Sequence, residues 1–130
     1  MQNGDKYEVV FQLNTDIYNG FITVFKDKNP LHTNEKFAIE KGFKEAVMHG
    51  NILNGFLSYF IGECLPTKNV IIHSQQIDYK LPVYLNDLLT LQATITNYSE
   101  SVNVYEFNFH FINGESKKVA KGKIQIGLLK

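Results

Sequence analysis

The sequence predicts an α+β domain, an antiparallel five-stranded sheet wrapped around one long central helix with short extra helices. Two observations predict it. The elements read as one strand, then helices, then four strands joined by short turns, which is the order of an antiparallel sheet with its helices grouped together. Within the helical part, residues 49–65 carry Ile52, Leu53, Phe56, Leu57, Phe60 and Ile61 at spacings of three and four. That periodicity is helical, and its apolar arc is wide enough to require burial. A buried helix needs a curved sheet around it, which is the hot-dog architecture.

The elements follow in order. "KYEVVFQL" (6–13) alternates as a first strand. In "NTDIYNGFITVF", Thr15 serves as N-cap and Asp16 sits in the first turn of a short helix. Pro30 disfavours helical geometry at Asn29, so residues 26–32 read as a loop, and "NEKFAIEKG" reads as one or two helical turns closed by Gly42. After the 49–65 helix, stopped by Pro66, come four strands: "NVIIHSQQIDYKL", "DLLTLQATITNYSE", "SVNVYEFNFHFIN" and "KKVAKGKIQIGLL". Turn signals lie at 81–87, at 99–101 and at "NGES". In "VYEFNFHF" the aromatics Tyr105, Phe107, Phe109 and Phe111 share one face.

The chain has 130 residues, which the length prior reads as a single domain over 1–130, large enough to hide roughly two-thirds of its unfolded surface. Thirteen basic residues balance thirteen acidic ones, so no electrostatic footprint for nucleic acid or an anionic membrane is expected. Cys64 is the only cysteine, which excludes an intramolecular disulfide and a cysteine-based zinc site and fits a reducing compartment, the cytoplasm by default. No stretch reads as a leader or as a membrane span.

The polar residues of "FKDKNPLHTNEKFA" (25–38) raise the question of function. Asp27, Asn29 and His32 cluster around Pro30, and seventeen residues after His32 comes "HGNIL", where the central helix begins. A helix N-terminus offers free N–H groups, and Gly50 lets a ligand approach the backbone, so a carboxylate, an imidazole and an oxyanion hole would together make an acid–base site. Taken singly, each has a plainer use: Asp27 or Asn29 can satisfy turn amides, His32 can cap the next helix, and His49-Gly50 can be a tight turn. The stiffening proline between Asn29 and His32 favours the joint, catalytic reading.

These residues resemble the MaoC-like dehydratases, whose best-described members are (R)-specific enoyl-CoA hydratases. "DKNPLHTNEKFA" follows the family pattern Gly-Asp-x-Asn-Pro-[aliphatic]-His-x-[Asp/Glu]-x-x-x-Ala, and Gly42-Phe43 and "VMHGNIL" (47–53) extend the likeness. It runs from about residue 8 to the carboxyl end, strongest over 21–57, and the family fold is the hot dog. It departs in two places: Phe25-Lys26 stand where the family has a small residue and glycine, and Asn34-Glu35 follow where an acidic residue comes after the histidine.

The resemblance implies catalytic Asp27 and His32, Asn29 as an orienting neighbour, and the Gly50 N–H facing a thioester oxygen. The implied reaction interconverts trans-2-enoyl and (R)-3-hydroxyacyl thioesters without a cofactor, coenzyme A or a carrier-protein phosphopantetheine arm being the substrate's handle. A hot-dog thioesterase and a non-catalytic acyl-binding subunit, with Phe25-Lys26 shutting out water, are the alternatives. The partners expected are acyl-CoA or acyl carrier protein and a second copy of the chain, in a homodimer or larger even assembly. Gly50, Asn54, Ser58 and Gly62 form an i+4 stripe. Close helix–sheet packing explains the stripe slightly better than an acyl tunnel walled by Asn54 and Ser58. Lys117, Lys121 and Lys123 share a strand face that is either solvated or set to meet phosphates. His73 and His110 read as surface or strand histidines, and the spacing of the four histidines suggests no metal.

Overall fold

The computed structural model describes residues 1–130. The chain runs β1 (Lys6–Gln12), α1 (Thr15–Phe25), α2 (Pro30–Thr33), α3 (Glu35–Glu40) and α4 (Asn51–Tyr59), the last continued by a π-helical turn, Phe60–Cys64. Four strands follow: β2 (Val70–Tyr79), β3 (Leu88–Ser99), β4 (Val104–Ile112) and β5 (Lys118–Leu128). They form one five-stranded antiparallel sheet in the order β1-β3-β4-β5-β2. The two strands that flank the helical region in sequence therefore lie on opposite edges, so the segment between them must cross the sheet. No helix is long and apolar enough to cross a membrane.

The predicted helical face packs as expected. Ile52, Leu53, Phe56, Leu57, Phe60 and Ile61 are all buried, against Leu89, Leu91, Ala93 and Ile95 of β3, the four aromatics of β4, and Ile124 and Ile126 of β5 in one hydrophobic cluster. Phe60, Phe107 and Phe111 are its largest fully enclosed side chains, with Phe60 set edge-on to Phe107. The helix is one-sided: Asn51, Gly55, Ser58, Tyr59 and Gly62 lie on an exposed arc. A Cβ added at Gly62 would meet nothing within 4 Å, whereas one at Gly50 would come within 2.8 Å of the Tyr79 ring on β2, so close packing on the sheet accounts for the small-residue stripe at Gly50 but not at Gly62. Leu65 is extended, as the residue before Pro66 must be, and the Lys68 ammonium donates to the carbonyls of Gly62 and Glu63 at the helix end.

Several boundaries differ from expectation. Asn14, not Thr15, is the N-cap of α1; its Oδ1 accepts from Ile17 N–H at 3.0 Å, while Asp16 does occupy the first turn. α4 begins at Asn51, two residues later than read. The β3–β4 turn extends through residue 103, because Asn103 takes a left-handed conformation (φ 53) that ends the pairing at Ser99↔Val104. A bulge in β5 pairs Ile112 with Lys118 and Phe111 with Ala120, burying both Val119 and Ala120. Lys118, Lys121 and Lys123 therefore line one shallow outer cleft, and Lys117 sits in the turn 3.7 Å from Glu115, so the predicted lysine trio is not one face.

Candidate active site

Asp27 stands on a four-residue loop, 26–29, between α1 and α2. Lys26 closes α1 in a left-handed conformation (φ 62), its N–H donating to Ile22 C=O at 2.8 Å. The exposed Asp27 carboxylate accepts from Asn29 N–H at 3.1 Å, and Asn29 Oδ1 accepts from Leu31 N–H at 2.9 Å, with Pro30 opening α2. Asn29 thus orients Asp27 through its main chain while its side chain caps α2. Loop geometry ends at Asn29, so His32 stands on a single helical turn and not in the loop predicted over 26–32. His32 is not the next cap: Asn34 Oδ1 accepts from Phe37 N–H at 3.0 Å.

One short segment, Val47 to Gly50, brings the pieces together. Its own position is fixed by Val47 N–H donating to Leu31 C=O (3.0 Å) and Met48 N–H to Val83 C=O (2.8 Å). His32 Nδ1 lies 2.7 Å from Val47 C=O; a carbonyl only accepts, so Nδ1 carries the proton and Nε2 of the neutral ring keeps a free lone pair. His49 Nε2 likewise donates to the main-chain carbonyl of Asp27 at 2.8 Å. The two imidazole rings lie 4.0 Å apart between centroids, tilted by 31° to one another, and Tyr18 Oη donates to His32 C=O at 2.7 Å. Asp27, His32 and His49 each present a donor atom within 4.8 Å of the others. Such a set could take a divalent cation, a grouping that sequence spacing did not suggest. Of the imidazole nitrogens, however, only His32 Nε2 is left open, because His32 Nδ1 and His49 Nε2 bond main-chain carbonyls and His49 Nδ1 is enclosed.

Gly50 precedes the first turn of α4, and its N–H meets no acceptor in the chain. The Tyr79 ring covers its Cα so closely that a Cβ would come within 2.8 Å of Cε1. Two clefts meet at Asn51. One, about 750 Å³, is bounded by α1 and α4 and lined by Phe21, Val24, Phe25, Asp27, Asn54 and Phe56; the other, about 470 Å³, holds His32, Gly50, Tyr79 and Lys80. Asp27 and His32 thus face different clefts at their junction. Asn54 lines the first and is held by Gln75 Nε2 (2.6 Å) while donating to Asn51 Oδ1 (2.9 Å) and Tyr79 Oη (3.2 Å). Partial burial raises the Tyr79 phenol above its ordinary range, opposed by the Asn54 bond, so it stays protonated. Ser58 is exposed and lines neither cleft, so of the two predicted wall residues only Asn54 is so placed.

Sequence reasoning missed the imidazole of His49, read only as the approach to a helix, and the Asn51–Asn54–Gln75–Tyr79 cluster. A histidine within an otherwise apolar "AVMHG" run was the signal for the first. The second joins α4 to β2 residues more than twenty positions away and left none. His73 and His110 lie elsewhere: His73 is exposed beside Gly127, and His110 Nε2 pairs with Gln92 Oε1 at 2.7 Å on the outer face.

The chain is similar to several known proteins. The "(R)-specific enoyl-CoA hydratase" of Aeromonas caviae is 34% identical over 76 residues, covering 58% of this chain and 57% of that protein. The protein of the same name from Rhodospirillum rubrum is 37% identical over 82 residues, covering 63% of this chain and 56% of its own. The matches therefore span little more than half the length of these relatives. The solved (R)-hydratase from A. caviae superposes with a TM-score of 0.90 over 98% of this chain and 97% of that one, at 24% identity, which establishes the hot-dog fold. Residues 5–109 match the family described as "MaoC like domain". The chain belongs to the MaoC-like domain family.

Proposed function

We propose that the chain is a hydratase/dehydratase that interconverts trans-2-enoyl thioesters and (R)-3-hydroxyacyl thioesters. The observation that carries this reading is the meeting of Asp27 and His32 beside an unoccupied N–H: the His32 Nε2 lone pair is set free by the bond of Nδ1 to Val47, and Gly50 N–H points to no acceptor. The names of the two hydratase relatives support the reaction class and its (R) hand.

In the hydration direction, Asp27 and His32 hold one water. As its O–H bond breaks toward the base, its oxygen bonds to the β-carbon and the alkene electrons move through the α-carbon onto the thioester oxygen, where Gly50 N–H stabilises the charge. A proton from the acid member of the pair then closes the α-carbon. Such a positioned pair contributes ~10²–10⁴-fold, and one oxyanion donor about 3–4 kcal/mol. The apolar cleft beside α1 suits the acyl chain, and the cleft of Gly50, Tyr79 and Lys80 suits the polar handle of coenzyme A or a carrier protein. No cofactor is needed for these steps. Phe25 lines the acyl cleft beside Asp27 and leaves the carboxylate exposed, so it narrows the site without closing it to water. A cytoplasmic setting and a homodimer complete the reading.

Crotonyl-CoA supplies the test. Loss of the conjugated-thioester absorbance without release of thiol, with (R)-3-hydroxybutyryl-CoA as product, is the expected result. Loss with free thiol would make the chain a thioesterase, and no loss across short and medium enoyl chains would make it an acyl-binding subunit.

A further inference from the structure

We infer that His49 is a positioning residue that sets Asp27 and His32 in register by donating from Nε2 to the Asp27 main chain and packing its ring against His32. The residue is 3% exposed, and its Nδ1 is enclosed without any hydrogen-bond partner. An enclosed acceptor with no partner is destabilising, so an apolar ring would serve the core better at this position. What an apolar ring could not supply is the 2.8 Å bond to Asp27 C=O. That bond is the one tie between the exposed Asp27 loop and the Val47–Gly50 segment. The other bonds of the loop, from Asn29 N–H to Asp27, from Leu31 N–H to Asn29 and from Thr33 Oγ1 to the Lys28 and Asn29 carbonyls, tie it to itself and to α2, so only the His49 bond joins Asp27 directly to that segment.

His49 is itself locked. Phe21 packs on its ring at 4.6 Å and Tyr18 at 5.9 Å, both from α1, while Met48 beside it is buried and bonded to Val83. Its opposite contact is His32, whose Nδ1 bonds Val47 two residues upstream. Through His49 the aspartate is referred to the same four-residue segment that holds the histidine and supplies the Gly50 N–H. A shift of about 1 Å in one member of an acid–base pair can cost on the order of 10²-fold in rate, so this tie bears on turnover without touching substrate.

The inference rests on the hydratase reading for its kinetic arm and is independent of it in its spectroscopic arm. Gln and Asn replace the imidazole with amides of different reach: the Gln nitrogen falls at the position of Nε2, the Asn nitrogen at that of Nδ1. His49→Gln is expected to keep kcat on crotonyl-CoA within about fivefold of wild type, whereas His49→Asn loses about 10- to 100-fold, each with KM within about threefold. Asp27→Asn serves as the control: if it keeps full activity, the hydratase reading fails while the positioning claim is still decided by the spectra. In ¹⁵N-resolved spectra of the unaltered protein, His49 should show a protonated Nε2 and a bare Nδ1, and the Asn29 amide should move in His49→Asn but not in His49→Gln. A bare Nε2 in the wild-type protein, or an Asn variant that melts normally and retains both kcat and the Asn29 resonance, would overturn it. If neither variant folds, the wild-type tautomer decides.

Discussion

Lys26 occupies a backbone conformation that a lysine adopts only at a cost. At φ 62 its Cβ crowds the following carbonyl, a penalty of about 1 kcal/mol or more that glycine escapes. The position is the left-handed cap that ends α1, where the family pattern that the loop resembles has glycine. Lys26→Gly should stabilise the chain by about 1 kcal/mol, read as a higher midpoint in chemical denaturation; an unchanged or lower midpoint would show that the lysine side chain makes up the difference. At Gly50, φ is −59, which proline adopts without strain, and the N–H it would remove bonds nothing in the chain. Both Gly50→Ala and Gly50→Pro place a Cβ against Tyr79, so their difference isolates the N–H. Turnover in the Pro variant should fall about 10²–10³-fold below the Ala variant, and equal rates would remove Gly50 from the oxyanion role. That Asp27, His32 and Gly50 come close together was legible in the sequence because short local patterns, a proline-stiffened loop and a glycine at a helix start, mark them. His49 was not, since its bond runs to residue 27 and its packing depends on how two helices meet.

At the level of elements, the periodic apolar positions were the legible part, for both α4 and the alternating face of β4, because burial enforces the period. The boundaries were less so. Asn14 and Thr15 are both good caps in adjacent positions, and the bulge that reassigns Lys117 and Lys118 depends on the register against β4, which a single strand does not encode. That register also has a pH consequence. His110 on β4 lies opposite Lys121 and near Lys118, bonded to Gln92; burial first and the Lys118 charge second lower its pKa from the ordinary 6.5. Below 6.5 the unfolded chain takes up a proton that the fold resists, so the contribution of His110 rises with pH through the window beneath that value and is complete above it. The melting temperature of wild type minus that of His110→Gln should therefore fall as pH is lowered from about 7 to about 5. A difference that does not change with pH would contradict the placement of His110 against the lysines.

The molecule as a whole is a sheet with two open edges, β1 and β2, and both expose large apolar side chains: Val10 on one, Ile71 and Tyr79 on the other. Such edges are normally paired or covered. Static light scattering at micromolar concentration should give at least twice the 14.9 kDa chain mass, and a monomer would count against the homodimer. The order of elements made the sheet and its central helix readable, whereas the folding of Val47–Gly50 into a common anchor for three groups became visible only once α1, α2 and α4 were assembled.

Under the proposed function Asp27 and His32 act as one unit on one water, and the kinetics of single and double variants test that reading most directly. Asp27→Asn and His32→Gln should each lower kcat on a short trans-2-enoyl thioester by at least ~10²-fold with little change in KM, and the double variant should be scarcely worse than either, each protein melting as wild type does. Single variants that retain more than about half of wild-type kcat, or losses that multiply in the double variant, would show instead that residues 27–32 form only a well-built turn.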